Sequence, residues 1–214
     1  VQKYRLAIEL DQNLLEAKAN LGFCLTSMGL AEDGYREARE AWNLRPADSA
    51  LSSMALFSSL YSATATPEEL SAGHSRWPSA RSVTERMHPN VPDPHRPLKI
   101  GYVSPDFRIH SCACFLLPLL ESHDRNQVSV VAYNSAATSD VISDQFRNMV
   151  DCWVDVFPFD SREFLNRVIA DGIDILVDCA GHTKGNRLKE FQGKPAPIQI
   201  TWLGYPSTTG LASI

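Results

Sequence analysis

From Leu98 to the end of the chain, short apolar runs alternate with helix-forming segments, and this alternation restricts the fold more than any other feature. "LKIGYV" (98–103), "VSVVAYN" (128–134), "WVDVFPF" (153–159), "IDILVDCAG" (173–181) and "APIQITWLG" (196–204) read as strands. Between them "CFLLPLLESH", "SDQFRNMV", "SREFLNRVIADG" and "KGNRLKEF" read as helices, the third with a Ser161 cap and a Gly172 stop. Short apolar strands separated by helices predict a doubly wound parallel sheet. Parallel neighbours need a crossover, and helices on both faces bury both sides of each strand. Trp202 reads as part of that core.

Ligands of such sheets sit at the carboxyl ends of the strands. Polar signals fall there three times. Ser104, Asp106 and His110 follow the first strand, "DCAGHTKGN" (178–186) follows the fourth, and "WLGYPSTTG" (202–210) follows the fifth. An acid four residues before a histidine at a strand exit has no place in a plain core. Neither G-x-G-x-x-G nor G-x-x-x-x-G-K-[ST] is present, which excludes the dinucleotide and P-loop readings. The loop from Gly181 to Gly185, with His182, Thr183 and Lys184, suits phosphate or sugar through backbone N–H groups at a helix start. A cation at a helix start is unfavourable without an anion nearby, so Lys184 favours a ligand role. Asp106 also suits a helix-capping role.

Residues 1–48 are helical and repetitive. "YRLAIELDQN" and "AREAWNLRPA" align at an offset of 34, with Ala7 over Ala41 and Leu10 over Leu44. That period, with Leu21, Gly22, Gly29, Ala41 and Pro46 in register, predicts tetratricopeptide-type helical hairpins. Lys18 stands where a large aromatic is usual, and Gly34 where alanine is usual. Such arrays bind proteins, and more repeats are expected before Val1. Residues 49–97 form a helical transition. Thr66, Pro67 and Glu69 predict a capped helix start, and "HPNVPDPHRP" (88–97) predicts a linker. The expected domains are therefore 1–48, 49–97 and 98–214.

Composition narrows the function. A net charge of −5 argues against a nucleic-acid partner, which calls for a basic surface. No apolar run reaches the ~18 residues of a membrane helix, so no membrane partner is expected. The five cysteines (24, 112, 114, 152, 179) are odd in number and have no metal-ligand spacing. They read as buried free thiols in a reducing cytosol, which gives a cytoplasmic protein. No D-x-D pair is present, and no metal is expected. The opening "VQKY" lacks an initiator methionine, so the chain is expected to be a piece of a longer protein.

"GYVSPDFRIHS", "DILVDCAGHTKGNR" and "KPAPIQITWLGYPSTTG" closely resemble the first half of the catalytic region of glycosyltransferase family 41, the O-linked N-acetylglucosaminyltransferases and SPINDLY-like proteins. The resemblance extends through "TPEELSAGHSRW" into the repeats. It implies a Rossmann-like first lobe of a two-lobed GT-B fold, with the second lobe, which holds most diphosphate contacts, absent here. It implies inverting transfer of a sugar, GlcNAc from UDP-GlcNAc, to Ser/Thr hydroxyls of protein acceptors recruited by the repeats, with no cofactor. His110 would contact the acceptor hydroxyl or donor sugar, Asp106 would orient it or help remove its proton, and His74 would approach from the transition helix. Lys184, Leu203 and Gly204 would line the sugar pocket with His182 and Thr183. Ser111, Cys112, Cys114 and His182 depart from the animal pattern and resemble the bacterial or SPINDLY-like branch, which brings in GDP-fucose as an alternative donor. A non-catalytic adaptor is the reading from another class. With half the diphosphate site absent, the isolated chain is expected to be inactive.

Overall fold

The computed structural model describes residues 1–78, 86–93 and 95–214. Residues 79–85 of the expected transition, and Pro94 of the expected linker, lie outside the described residues. The chain forms two compact units, Val1–Arg81 and Ser82–Ile214.

The first unit is helical: α1 (Gln2–Leu10), α2 (Leu15–Ser27), α3 (Ala31–Leu44), α4 (Ser49–Ser59) and α5 (Pro67–Ser75). α2 and α4 begin at Leu15 and Ser49, the same 34-residue offset as in the sequence. α2 and α3 approach closely because both present glycine. A Cβ on Gly34 would lie 2.2 Å from Thr26 Oγ1 and 2.6 Å from the Gly22 carbonyl oxygen. Backbone against backbone leaves no room for alanine there, which explains the departure at Gly34. Lys18, the other departure, pairs with Glu40 across the hairpin at 2.5 Å. Asp48 caps α4 by accepting from the N–H groups of Ala50 and Leu51. Thr66 caps α5 in a reciprocal box with Glu69, and Pro67 follows at the position that needs no N–H.

In the second unit the described residues form a five-stranded parallel sheet of order β3-β2-β1-β4-β5. The strands are β1 (Leu98–Ser104), β2 (Val128–Asn134), β3 (Cys152–Asp155), β4 (Ile175–Asp178) and β5 (Ile198–Thr201). α6 (Ala113–Glu121), α7 (Val141–Met149), α8 (Ser161–Ala170) and α9 (Leu188–Phe191) lie between them in sequence. Tyr102, Val130, Ala132 and Val177 share one buried cluster with Leu116 and Leu120 of α6 and Phe146 of α7. The chain builds outward from β1 to β3, then returns to add β4 on the other side. The strand order therefore reverses between β1 and β4, and their carboxyl ends open the crevice where such sheets hold ligands.

Four expectations need correction. The cap of α8 is Asp160, not Ser161: its carboxylate accepts the Glu163 N–H at 2.8 Å, and Glu163 accepts the Asp160 N–H in return. The helix expected over 184–191 is only Leu188–Phe191, because Gly185 at φ +86° turns the chain first. Trp202 is 40% exposed, on the same uncovered face as Ile198 and Ile200, because β5 lies at a sheet edge. Among the cysteines only Cys112 and Cys179 are buried; Cys114 is exposed.

Asp174 fastens the segment before β1 to the start of β4. Its carboxylate accepts from Arg96 Nη1 (2.8 Å), Arg96 Nη2 (2.5 Å), Asn90 Nδ2 (2.6 Å) and the Lys99 N–H (2.8 Å). The Arg96 guanidinium chiefly, then the Lys99 and Asn90 donors, hold its pKa down to about 2 against the opposing effect of burial. The folded chain thus holds this proton less tightly than the unfolded chain. Its stabilisation is complete above about pH 4 and is lost as pH falls from about 4 to about 2, to the extent of about 1–2 kcal/mol. Urea unfolding of wild type and Asp174→Asn across pH 2–6 checks this. The gap between them narrows below about pH 4 if the ionised carboxylate is responsible, and parallel curves would exclude it.

Candidate active site

The loop after β1 is held from both sides. Ser104, buried at the strand end, accepts the Asp106 N–H on its Oγ at 3.0 Å and turns the chain. Phe107 then plunges into the core, its ring 5.1 Å from that of Phe146 and 5.6 Å from that of Trp153. The Ile109 N–H donates to Asp140 Oδ2 at 2.8 Å, the same acid that caps α7. Cys112 is the N-cap residue of α6, so Asp106 does not cap that helix.

This anchoring presents Asp106 and His110 as a pair. Asp106 is 6% exposed, and Arg108 Nη2 donates to its Oδ1 at 3.3 Å. Its Oδ2 faces His110 Nδ1 at 3.7 Å. His110 is exposed, and its Nδ1 accepts the Cys112 N–H at 3.3 Å. In the neutral ring that bond places the proton on Nε2. Cys112 Sγ joins the two groups, with one ligand-type atom from each of the three residues all within 4.8 Å of one another. Burial first, then the Asp106 charge, pushes the Cys112 thiol pKa up.

The loop after β4 is organised by Asp178, fully buried at the strand end. Its carboxylate accepts from the Ala180 N–H (3.2 Å), the Gly181 N–H (2.9 Å) and Thr201 Oγ1 (2.8 Å). Burial pushes its pKa up, and these three donors oppose the shift. Gly181 takes φ +55° and lies against Tyr205, where a Cβ would approach the tyrosine Cβ to 2.2 Å. His182 is buried, with Nε2 2.9 Å from the Thr209 carbonyl oxygen and its ring edge-on to Tyr205. It therefore ties this loop to the one after β5. Thr183 Oγ1 donates to the Ala180 carbonyl at 2.8 Å, and Lys184 is exposed beside it.

After β5, Leu203 adopts φ +78°, a strained conformation for a branched side chain. Its side chain packs on the cluster containing Phe107, Cys112 and Cys179. Gly204 lies flat on the β4 loop, where a Cβ would come within 2.0 Å of the Cys179 carbonyl oxygen. A Cβ on Gly185 would lie 2.9 Å from Pro105, and Ser135 Oγ donates to the Gly185 carbonyl at 2.9 Å. Loops after β1, β2, β4 and β5 thus mesh at one rim. Asp106, His110, Thr183, Lys184, Leu203 and Gly204 all stand on it, while His182 lies beneath.

His74 belongs to the first unit. It is buried in α5, its Nδ1 2.6 Å from the Leu70 carbonyl oxygen, and burial holds its pKa below the ordinary histidine range. Sequence reasoning missed two roles here. Asp178 heads the polar stretch 178–186, but its role as a buried acceptor depends on Thr201 of another strand. Cys112 reads as one of five buried thiols, although D-x-x-x-H-x-C brings three ligand types onto one turn.

A parallel sheet whose strand order reverses beside a rim of glycine turns, an acid–histidine pair and a lysine defines a doubly wound α/β lobe with a ligand crevice at its strand ends. The model of glycosyl transferase family 41 matches residues 84–214, and the chain belongs to that family. It is similar to the Arabidopsis thaliana protein named "Probable UDP-N-acetylglucosamine--peptide N-acetylglucosaminyltransferase SPINDLY", 40% identical over 60% of this chain and 15% of that protein. It is 37% identical to a Caenorhabditis elegans UDP-N-acetylglucosamine–peptide N-acetylglucosaminyltransferase over 53% of this chain and 10% of that protein. Among solved structures, a mutant of the Thermobaculum terrenum O-GlcNAc transferase superposes with a TM-score of 0.93 at 36% identity, covering 99% of this chain and 41% of that one. The chain thus spans a small fraction of its curated relatives and under half of that structure. Among the described residues no helix is long and apolar enough to cross a membrane.

Proposed function

We propose that this chain is part of an inverting protein O-glycosyltransferase that moves N-acetylglucosamine from UDP-GlcNAc to Ser or Thr hydroxyls. The observation that carries the reading is the pairing of buried Asp106 with exposed His110 on a rim shared with Thr183, Lys184, Leu203 and Gly204. The names of the relatives support the donor and the protein acceptor.

Inverting transfer forms a bond from the acceptor oxygen to the anomeric carbon and breaks the bond to the diphosphate. Positive charge builds on the ring, negative charge on the leaving group, and the acceptor hydroxyl gives up its proton late. His110 is the group placed to take it. Closing the 3.7 Å gap to hydrogen-bond length moves the ring proton to Nδ1, facing Asp106, and frees Nε2 as the base. Asp106 then stabilises the imidazolium that forms. Lys184 supplies positive charge for the diphosphate from the glycine turn, and the strained Leu203–Gly204 backbone shapes the sugar pocket. His182 is a positioning residue that holds two of the loops together. The helical repeats recruit the acceptor protein in the cytoplasm. No metal or cofactor takes part in the transfer.

The departures Ser111, Cys112 and His182 keep GDP-fucose as a second donor. A transfer assay on the full-length protein with UDP-GlcNAc, UDP-glucose and GDP-fucose decides. Incorporation into acceptor protein from UDP-GlcNAc is expected. Incorporation from GDP-fucose alone would move the assignment to fucose, and none from any donor would favour an adaptor.

A further inference from the structure

We propose that Asp106, His110 and Cys112 form a binding site for a thiophilic divalent cation of the zinc class, which blocks the acid–histidine pair when bound. The juxtaposition that carries this is three different ligand types on one anchored turn, with one donor atom from each mutually within 4.8 Å.

The resting hydrogen bonds leave a cation-shaped need. His110 Nδ1 accepts the Cys112 N–H on its single lone pair, a bond long at 3.3 Å that a cation would replace. Asp106 Oδ2 lies 3.7 Å from Nδ1, too far for a direct hydrogen bond. Arg108 engages the other oxygen, Oδ1, and leaves Oδ2 available. Two acceptors facing each other are reconciled by a positive charge between them. In tetrahedral zinc sites, bonds of about 2.0–2.2 Å to nitrogen and oxygen put those atoms about 3.4 Å apart. The observed 3.7 Å between Nδ1 and Oδ2 lies close to that value.

Cys112 makes the site selective. A thiolate favours zinc-class ions over magnesium or calcium, which prefer all-oxygen shells. On binding, the thiol releases its proton to solvent and the sulfur bonds the metal, whose positive charge stabilises the thiolate. Cys112, Asp106 and the Phe107 anchor close the buried side, while exposed His110 leaves a fourth position for water. Three protein ligands and one open position make an exchangeable site. An ion held there ties up the Nδ1 lone pair and Oδ2, so the ring can no longer pass its proton to the Asp106 side.

The blocking effect rests on the transferase reading; the binding does not. The test is cobalt(II) titration of the reduced, chelator-treated 214-residue chain, followed by zinc displacement. A sulfur-to-cobalt charge-transfer band is expected, removed by zinc but not by magnesium. Cys112→Ser should abolish it, Cys114→Ser should leave it intact, and His110→Ala should weaken binding about 10–100-fold. A missing band, one that survives Cys112→Ser, or one lost with Cys114→Ser would overturn the site. Should Cys112→Ser fail to fold, His110→Ala decides alone, since that side chain is exposed: unchanged affinity refutes the proposal. A cobalt site in the 214-residue chain, together with a metal-free full-length protein that transfers no sugar, would sink the transferase reading and leave the metal site standing.

Discussion

Replacing His110 with alanine in the full-length protein lowers kcat by about 10²–10⁴-fold, the usual contribution of a positioned general base. Thermal unfolding stays nearly unchanged, because the imidazole is exposed and its bond to the Cys112 N–H is long at 3.3 Å. The loss falls on kcat more than on KM if the ring acts on the proton rather than on ground-state binding. Asp106→Asn should also lower kcat, because an amide stabilises the imidazolium less well than a carboxylate does. The double variant should lose little beyond His110→Ala, since the acid works only through the ring. A His110→Ala enzyme within about threefold of wild type would remove the base assignment, because even a weak general base contributes far more.

The largest effect on stability belongs to Asp178. Truncation to alanine leaves the Ala180 and Gly181 N–H groups and the Thr201 hydroxyl without their acceptor, deep under the rim. At about 1–3 kcal/mol for each buried donor left unmet, less some relaxation, the cost is about 3–5 kcal/mol. Asp178→Asn keeps one acceptor oxygen and should lose less. Urea unfolding of the 214-residue chain measures both, and an alanine variant within about 1 kcal/mol of wild type would show that the three bonds do not hold the rim. A partial loss of stability should also loosen the 180–183 turn, which hydrogen exchange at Gly181 reads directly.

Much of this architecture was legible from the order of apolar runs. The five strands overlap the five predicted runs, β1 and β3 each reaching one residue beyond, because parallel strands are buried on both faces and need continuous apolar sequence. The Thr66 box was legible because its three residue types sit in adjacent positions with one geometric meaning. What escaped depended on position in space. Trp202 looks like core in the sequence, and only the place of β5 at a sheet edge exposes it. Asp160 and Ser161 both suit a cap, and the reciprocal bond to Glu163 selects the former. For the site, Asp106 and His110 stood out by spacing alone. That His182 faces Tyr205 and Thr209 rather than solvent depends on how two distant loops fold over each other. The same holds for Asp178, whose partner Thr201 lies on another strand.

The reversal of strand order between β1 and β4 sends the chain out from those two strands by separate routes. Each loop starts from a fixed point on the sheet and answers to its own set of side chains: Phe107 and Asp140 for one, Asp178 for the other. The two turns nevertheless touch where Gly185 lies against Pro105, so a side chain added at that one position would displace both.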